Sequence, residues 1–95
     1  MNNTQYALIK IAEEASEVAQ AATKALRFGL DSACPVTKIT NADKLIDEMG
    51  DLCIAVASLE EATGIQVKIS EEDWDKKVAR LNKFKSISKD LGIIE

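Results

Sequence analysis

The apolar positions of the chain fall into three blocks with helical spacing. In the first, over about 4–28, Leu8, Ile11, Ala12, Ala15, Val18, Ala19, Ala22 and Leu26 recur at three- and four-residue intervals. The polar residues Lys10, Glu13, Ser16, Gln20, Lys24 and Arg27 gather on the other side. Gly29 and then Leu30 have the order of a Schellman stop, a glycine past the last turn followed by an apolar residue. Over 30–40 the periodicity disappears around Pro35, the only proline, which reads as a loop. The second block, about 42–63, puts Leu45, Met49, Leu52, Cys53, Val56 and Leu59 on one side, with Thr40 or Asn41 as its cap. It ends at Gly64-Ile65. After a short connection over 66–69, Ser70-Glu71-Glu72-Asp73 has the form of a third helix start, a serine cap followed by acids. That helix is expected to carry Trp74, Val78, Leu81, Phe84 and Leu91 toward the core and to stop at Gly92-Ile93. The class is all-α, and residues 1–95 form one domain.

Against this pattern, four acids stand out. On a wheel of about 100° per residue, Glu14 falls between Ala21 and Ala25, inside the apolar arc of the first helix, and Glu17 sits at its border. The second helix repeats the arrangement, with Glu48 between Ala55 and Leu59 and Asp51 at the edge. Each pair is spaced i, i+3, so each shares one helix face. Buried carboxylates are paired or coordinate metals, and an all-oxygen ligand set favours Mg²⁺, with Mn²⁺ as a substitute. The competing reading is a solvated acidic face; Glu13 and Asp47, on the outer faces, are assigned to the surface or to a supporting place behind the ligands.

Composition narrows the choices. Apolar residues make up 46% and charged residues 29% of the chain, the profile of a folded globular protein. The net charge of −4 argues against nucleic-acid binding. No apolar run is long enough for a membrane span, and Met1-Asn2-Asn3-Thr4 lacks the basic start of a signal peptide. Two cysteines, Cys34 and Cys53, are too few for a disulfide scaffold, so a cytoplasmic location is expected. Cys53 is read as a small core hydrophobe. The chain has no histidine, which removes the usual ligand or base of zinc hydrolases, histidine triads and histidine-bearing di-iron bundles.

Glu13-Glu14-x-x-Glu17 followed by Glu48-x-x-Asp51 resembles the EExxE…ExxD signature of the MazG-like, all-α nucleoside triphosphate pyrophosphohydrolases. The likeness covers both main helices, about half the chain, and runs through Leu8-Ile9-Lys10-Ile11-Ala12 and Asp47-Glu48-Met49-Gly50-Asp51-Leu52. Lys-Ala-Leu-Arg-Phe-Gly-Leu over 24–30 is nearest to the short, phage-type members, for which the location would be the host cytoplasm. The gap between the motif halves is toward the long side of the family range. The resemblance implies hydrolysis of a (deoxy)nucleoside triphosphate to the monophosphate and pyrophosphate, with Mg²⁺ held by Glu14, Glu17, Glu48 and Asp51. One of the glutamates would act as general base.

A triphosphate also needs protein cations. Lys77, Arg80 and Lys83 recur at i, i+3, i+6 on the third helix and are the first candidates, set against an ordinary solvated basic face. Asn41 could bond a base or sugar, though a plain helix cap needs no such role and is the preferred reading. The apolar arc of the first helix spans roughly half its circumference, wider than one packed face requires. Together with the dimers and dimers of dimers that the resemblance implies, this leads to the expectation of a homodimer or homotetramer with a four-helix core at the dimer interface. The alternative to an enzyme is a helical interaction or regulatory module whose acids are structural.

Overall fold

A computed structural model describes residues 1–95, with three helices in chain order: α1 (Asn3–Phe28), α2 (Asn41–Thr63) and α3 (Glu71–Asp90). There are no strands; a single bridge joins Ala33 to Thr40. The helix starts follow the local chemistry. Asn2 caps α1 in a full capping box with Gln5. Thr40 caps α2 through its hydroxyl, which accepts from the Asp43 N–H at 3.1 Å. Ser70 does the same for α3 with Asp73.

The three expected glycine stops divide. At Gly92 the full Schellman pattern forms, Ile93 N–H bonding Ser88 O and Gly92 N–H bonding Lys89 O. Gly64 adopts the left-handed conformation at φ 75°, ψ −2°. Gly29 departs from expectation: at φ 93°, ψ 150° it turns the chain out in an extended direction rather than curling it back. The segment over 30–40 then folds onto the start of α2, where Asn41 N–H bonds Ser32 O and Ala42 N–H bonds Leu30 O.

α1 and α2 form an antiparallel hairpin, the start of α1 lying beside the end of α2 around Tyr6, Ala7, Ser58 and Ala62. The positions turned inward on α1 are Thr4, Ala7, Ile11, Glu14, Val18, Ala21 and Ala25, with steps of three and four. On α2 they are Asn41, Leu45, Glu48, Leu52, Ala55 and Leu59. Both series are heptad seams of coiled-coil type, and in each the central position is a glutamate. Alanine at Ala7, Ala21, Ala25 and Ala55, all buried, lets the two helices approach closely.

This corrects the expected core. Leu8, Ala12, Ala15, Ala19, Ala22 and Leu26 lie on the outer half of the broad α1 arc and are exposed, as are Met49 and Cys53 on α2. A second helix can cover only one flank of an arc that wide, so the other flank is left bare. The third helix departs further. It packs on neither α1 nor α2 and buries no residue; Trp74, Leu81, Phe84 and Leu91 are all more than half exposed. The connection between α2 and α3 is short and bonded to α2. Val67 N–H bonds Glu60 Oε2 at 2.9 Å and Ile65 N–H bonds Thr63 Oγ1 at 3.1 Å, tying the linker to the last turn of α2. The molecule is consequently flat and wide, 46 × 44 × 19 Å.

Candidate metal centre

Seam geometry brings the acids together. Glu14 and Glu48 occupy the middle of their seams and so face each other across the hairpin, and Asp51 stands one turn beyond Glu48 at the groove edge. Ligand oxygens of Glu14, Glu48 and Asp51 all lie within 4.8 Å of one another. Glu48 is the most enclosed, 6% exposed; Glu14 is half-buried and Asp51 is exposed. Glu17, the fourth expected ligand, is one turn along α1, exposed and outside this group of three, though close enough to Lys44 to raise its pKa. Asp51 and Glu17 flank the seam on one side of the hairpin, so the acids open onto a single face.

Two lysines on that face were not singled out by sequence reasoning. Lys44 Nζ lies 2.8 Å from Glu48 Oε1, and Lys10 Nζ lies 3.4 Å from Glu13 and 3.5 Å from Glu14. Both ammonium pKa values rise. For Lys44 the cause is first the hydrogen bond to Glu48 and then its charge; for Lys10 it is first the hydrogen bond to Glu13. The signal available in the sequence was the i, i+4 spacing of Lys10 to Glu14 and Lys44 to Glu48. Each central carboxylate therefore has one cation on its own helix, and a lysine on a flexible stem can swing away when a divalent ion takes its place.

Two concavities flank the acids. A groove of about 330 Å³ is lined by Tyr6, Lys10, Glu14, Asp51, Ile54, Ala55 and Ser58. Beyond Lys44, a cavity of about 230 Å³ is lined by Lys24, Cys34, Thr37, Ile39, Asn41 and Lys44. In this second space the Cys34 thiol is lowered from 9.0 to about 7, first by a hydrogen bond from the Thr37 hydroxyl, then by the backbone N–H groups of Thr37 and Val36. The turn that brings these groups round the sulfur places Lys38 at φ 65°.

The remaining expected residues fall elsewhere. Asn41 is neither the cap, which is Thr40, nor free to meet a ligand through its amide: it is 6% exposed and its Nδ2 donates to Gly29 O at 2.8 Å, latching the end of α1 to the start of α2. Lys77, Arg80 and Lys83 are exposed on α3, which does not touch the hairpin carrying the acids. No protein-family model, curated protein or solved structure matches the chain.

Proposed function

We propose that the chain is a Mg²⁺-dependent pyrophosphohydrolase of the MazG-like kind. It would cleave a (deoxy)nucleoside triphosphate to the monophosphate and pyrophosphate and act as a homodimer or homotetramer in the cytoplasm. The observation that supports this most is the placing of Glu14 and Glu48 at the centres of two facing apolar seams, with Asp51 beside them. A seam position is the most expensive place in a helical hairpin for an acid. Two facing ones are accounted for by a cation between them.

Glu14, Glu48 and Asp51 would hold the ion, with Glu17 at the open side. When bound, Mg²⁺ offsets the charge of a triphosphate and lowers the pKa of a coordinated water. The chain's own groups have separate tasks. Lys44 and Lys10, released from their carboxylates, can turn to phosphate oxygens above the same face. The groove beside Tyr6 and Ile54 offers apolar and hydroxyl contacts of the kind that take a nucleoside. Glu17, left off the ion, can accept a proton from the attacking water without any histidine.

The second reading, a helical interaction module with structural acids, is favoured by one observation: Lys10 and Lys44 already neutralise the two seam glutamates. One experiment separates the two. A panel of ordinary, deoxy and modified triphosphates is incubated with the protein and Mg²⁺, and both pyrophosphate and orthophosphate are measured. Pyrophosphate from at least one substrate, lost in Glu48→Ala, supports the enzyme. Orthophosphate alone, or full activity in Glu48→Ala, rules it out.

A further inference from the structure

Two recesses meet the acids from opposite ends of the hairpin, and they differ in charge. Lys10, Glu17 and Lys24 on α1, and Lys44, Asp51 and Ser58 on α2, are each spaced by seven. Two turns of helix separate such positions, so both series run along one flank beside the seam. Because the helices are antiparallel, the order along that flank is Lys24 with Lys44, then the acids, then Lys10 with Ser58. The groove of about 330 Å³ reaches the acids from the Tyr6 side and has Glu14 and Asp51 in its wall. The cavity of about 230 Å³ reaches them from the other side through Lys44, which lines it and also lies 2.8 Å from Glu48 Oε1.

The smaller cavity has two lysines and no acid in its wall. Lys24 forms no ion pair, and the residues three and four away from it on α1 are Gln20, Ala21, Arg27 and Phe28. An ammonium without a carboxylate, facing a recess, attracts an anion. Lys44 adds a second charge once it turns from Glu48. Cys34 is the only wall residue that can become negative, so a bound anion and its thiolate disfavour each other. At about 230 Å³ the cavity is smaller than the roughly 300–1,000 Å³ of pockets that take larger organic ligands. That size suits phosphate groups and is tight for a nucleoside. The opposite groove, walled in part by Tyr6, Ile54 and Ala55, has the apolar surface that a nucleoside needs.

We propose that the Lys24–Lys44 cavity seats the β- and γ-phosphates of the triphosphate and holds them as inorganic pyrophosphate after cleavage. The substrate then lies along the flank in one direction, its nucleoside toward Tyr6 and its terminal phosphates toward Lys24. The oxygen of water bonds to the α-phosphorus, and the bond from that phosphorus to the α–β bridging oxygen breaks. The electron pair of that bond leaves with the pyrophosphate, and the water proton passes to Glu17. Lys44, in turning to the terminal phosphates, releases Glu48 to the ion. The choice of substrate rests on the hydrolase reading above, whereas the seat itself needs neither metal nor turnover.

Cys34 is a reporter built into the wall of this cavity. In full-length Cys53→Ser protein, without metal, its alkylation by uncharged iodoacetamide is timed at neutral pH with and without inorganic pyrophosphate. Sodium chloride keeps the ionic strength equal. Pyrophosphate is expected to slow the reaction about tenfold at saturation, both by filling the cavity and by disfavouring the thiolate. The midpoint of the rate against pH should accordingly move above about 7. Lys24→Gln alters an exposed side chain, so its helix content in circular dichroism is expected to persist, and the ratio of the two rates should fall to one. An unchanged rate with pyrophosphate, or a slowing that survives Lys24→Gln, overturns the seat. Triphosphate turnover without protection of Cys34 would overturn it too while leaving the hydrolase reading in place. Protection lost in Lys24→Gln, in a protein that cleaves no triphosphate, would uphold the anion seat and strike the hydrolase reading instead.

Discussion

Replacing Glu48 by methionine distinguishes a metal ligand from a structural acid, because the two readings predict opposite signs. The side chain is 8% exposed and has Ala55 and Leu52 as seam neighbours on α2, so an unbranched apolar chain of similar volume fits with little rearrangement. Burying methionine there contributes up to about 1.5–3 kcal/mol. The ion pair it removes has its ammonium largely in water and offsets only a small part of that gain. Without metal, Glu48→Met is therefore expected to be more stable than the parent by about 1–2 kcal/mol, a rise of roughly 4–8 °C in melting temperature per kcal/mol for a domain of this size. Adding Mg²⁺ reverses the order. The parent gains about 2.7 kcal/mol when the ion is at a hundred times its dissociation constant, while the variant gains almost nothing. The assay is thermal or urea unfolding followed by circular dichroism, at one fixed protein concentration because association shifts apparent stability. A metal-free Glu48→Met protein less stable than the parent, together with a parent indifferent to Mg²⁺, would refute the argument and favour the structural reading.

Other consequences follow from individual contacts. Asn41→Ala removes a buried amide that bonds Gly29 O; that carbonyl keeps the Ser32 N–H at 3.4 Å, so the cost in urea unfolding is expected to be about 0.5–1.5 kcal/mol, that of one ordinary hydrogen bond. Lys44→Met removes the ammonium that competes for Glu48, so Mg²⁺ should bind more tightly in calorimetry while turnover of a triphosphate falls. In a Cys53→Ser background, the rate of Cys34 alkylation should rise with pH through a midpoint near 7, because the thiolate is the nucleophile. Thr37→Val removes the leading hydrogen bond to the sulfur and should move that midpoint back toward the ordinary 9.0. Exchanging Gly64 for alanine forces a side chain into φ 75° and should lower the melting temperature, at a cost of roughly 1 kcal/mol.

The helices were legible because their signals are local. Caps at Thr40 and Ser70, the glycine at Gly64 and the Schellman turn at Gly92 each depend on a few neighbouring residues, and the apolar spacing repeats over many turns. The acids were legible for a related reason: an acid inside an apolar arc is anomalous within its own helix, whatever packs against it. For that reason Glu14 and Glu48 could be picked out from the chain alone, and Glu13 could be set apart from them.

Partnership between helices was not legible. The α1 arc is broad enough to offer two faces, and a wheel read at 3.6 residues per turn does not say which face a neighbour takes. The hairpin selects the flank with Ala7, Glu14, Ala21 and Ala25, a heptad seam visible only once α2 is laid alongside. The same choice separates Asp51, within reach of both glutamates, from Glu17, which the spacing alone treats as its equal.

From its sequence alone, then, this protein was determined to be three helices, the second and third with their caps, carrying two acid pairs within or at the borders of apolar arcs, since each of these properties is decided within a turn or two of chain. Tertiary structure decided which acids converge, gave Asn41 its place as a latch, and set α3 apart from the hairpin with Lys77, Arg80 and Lys83 upon it. Those outcomes depend on distances between residues far apart in the chain, which no pattern within a turn or two encodes.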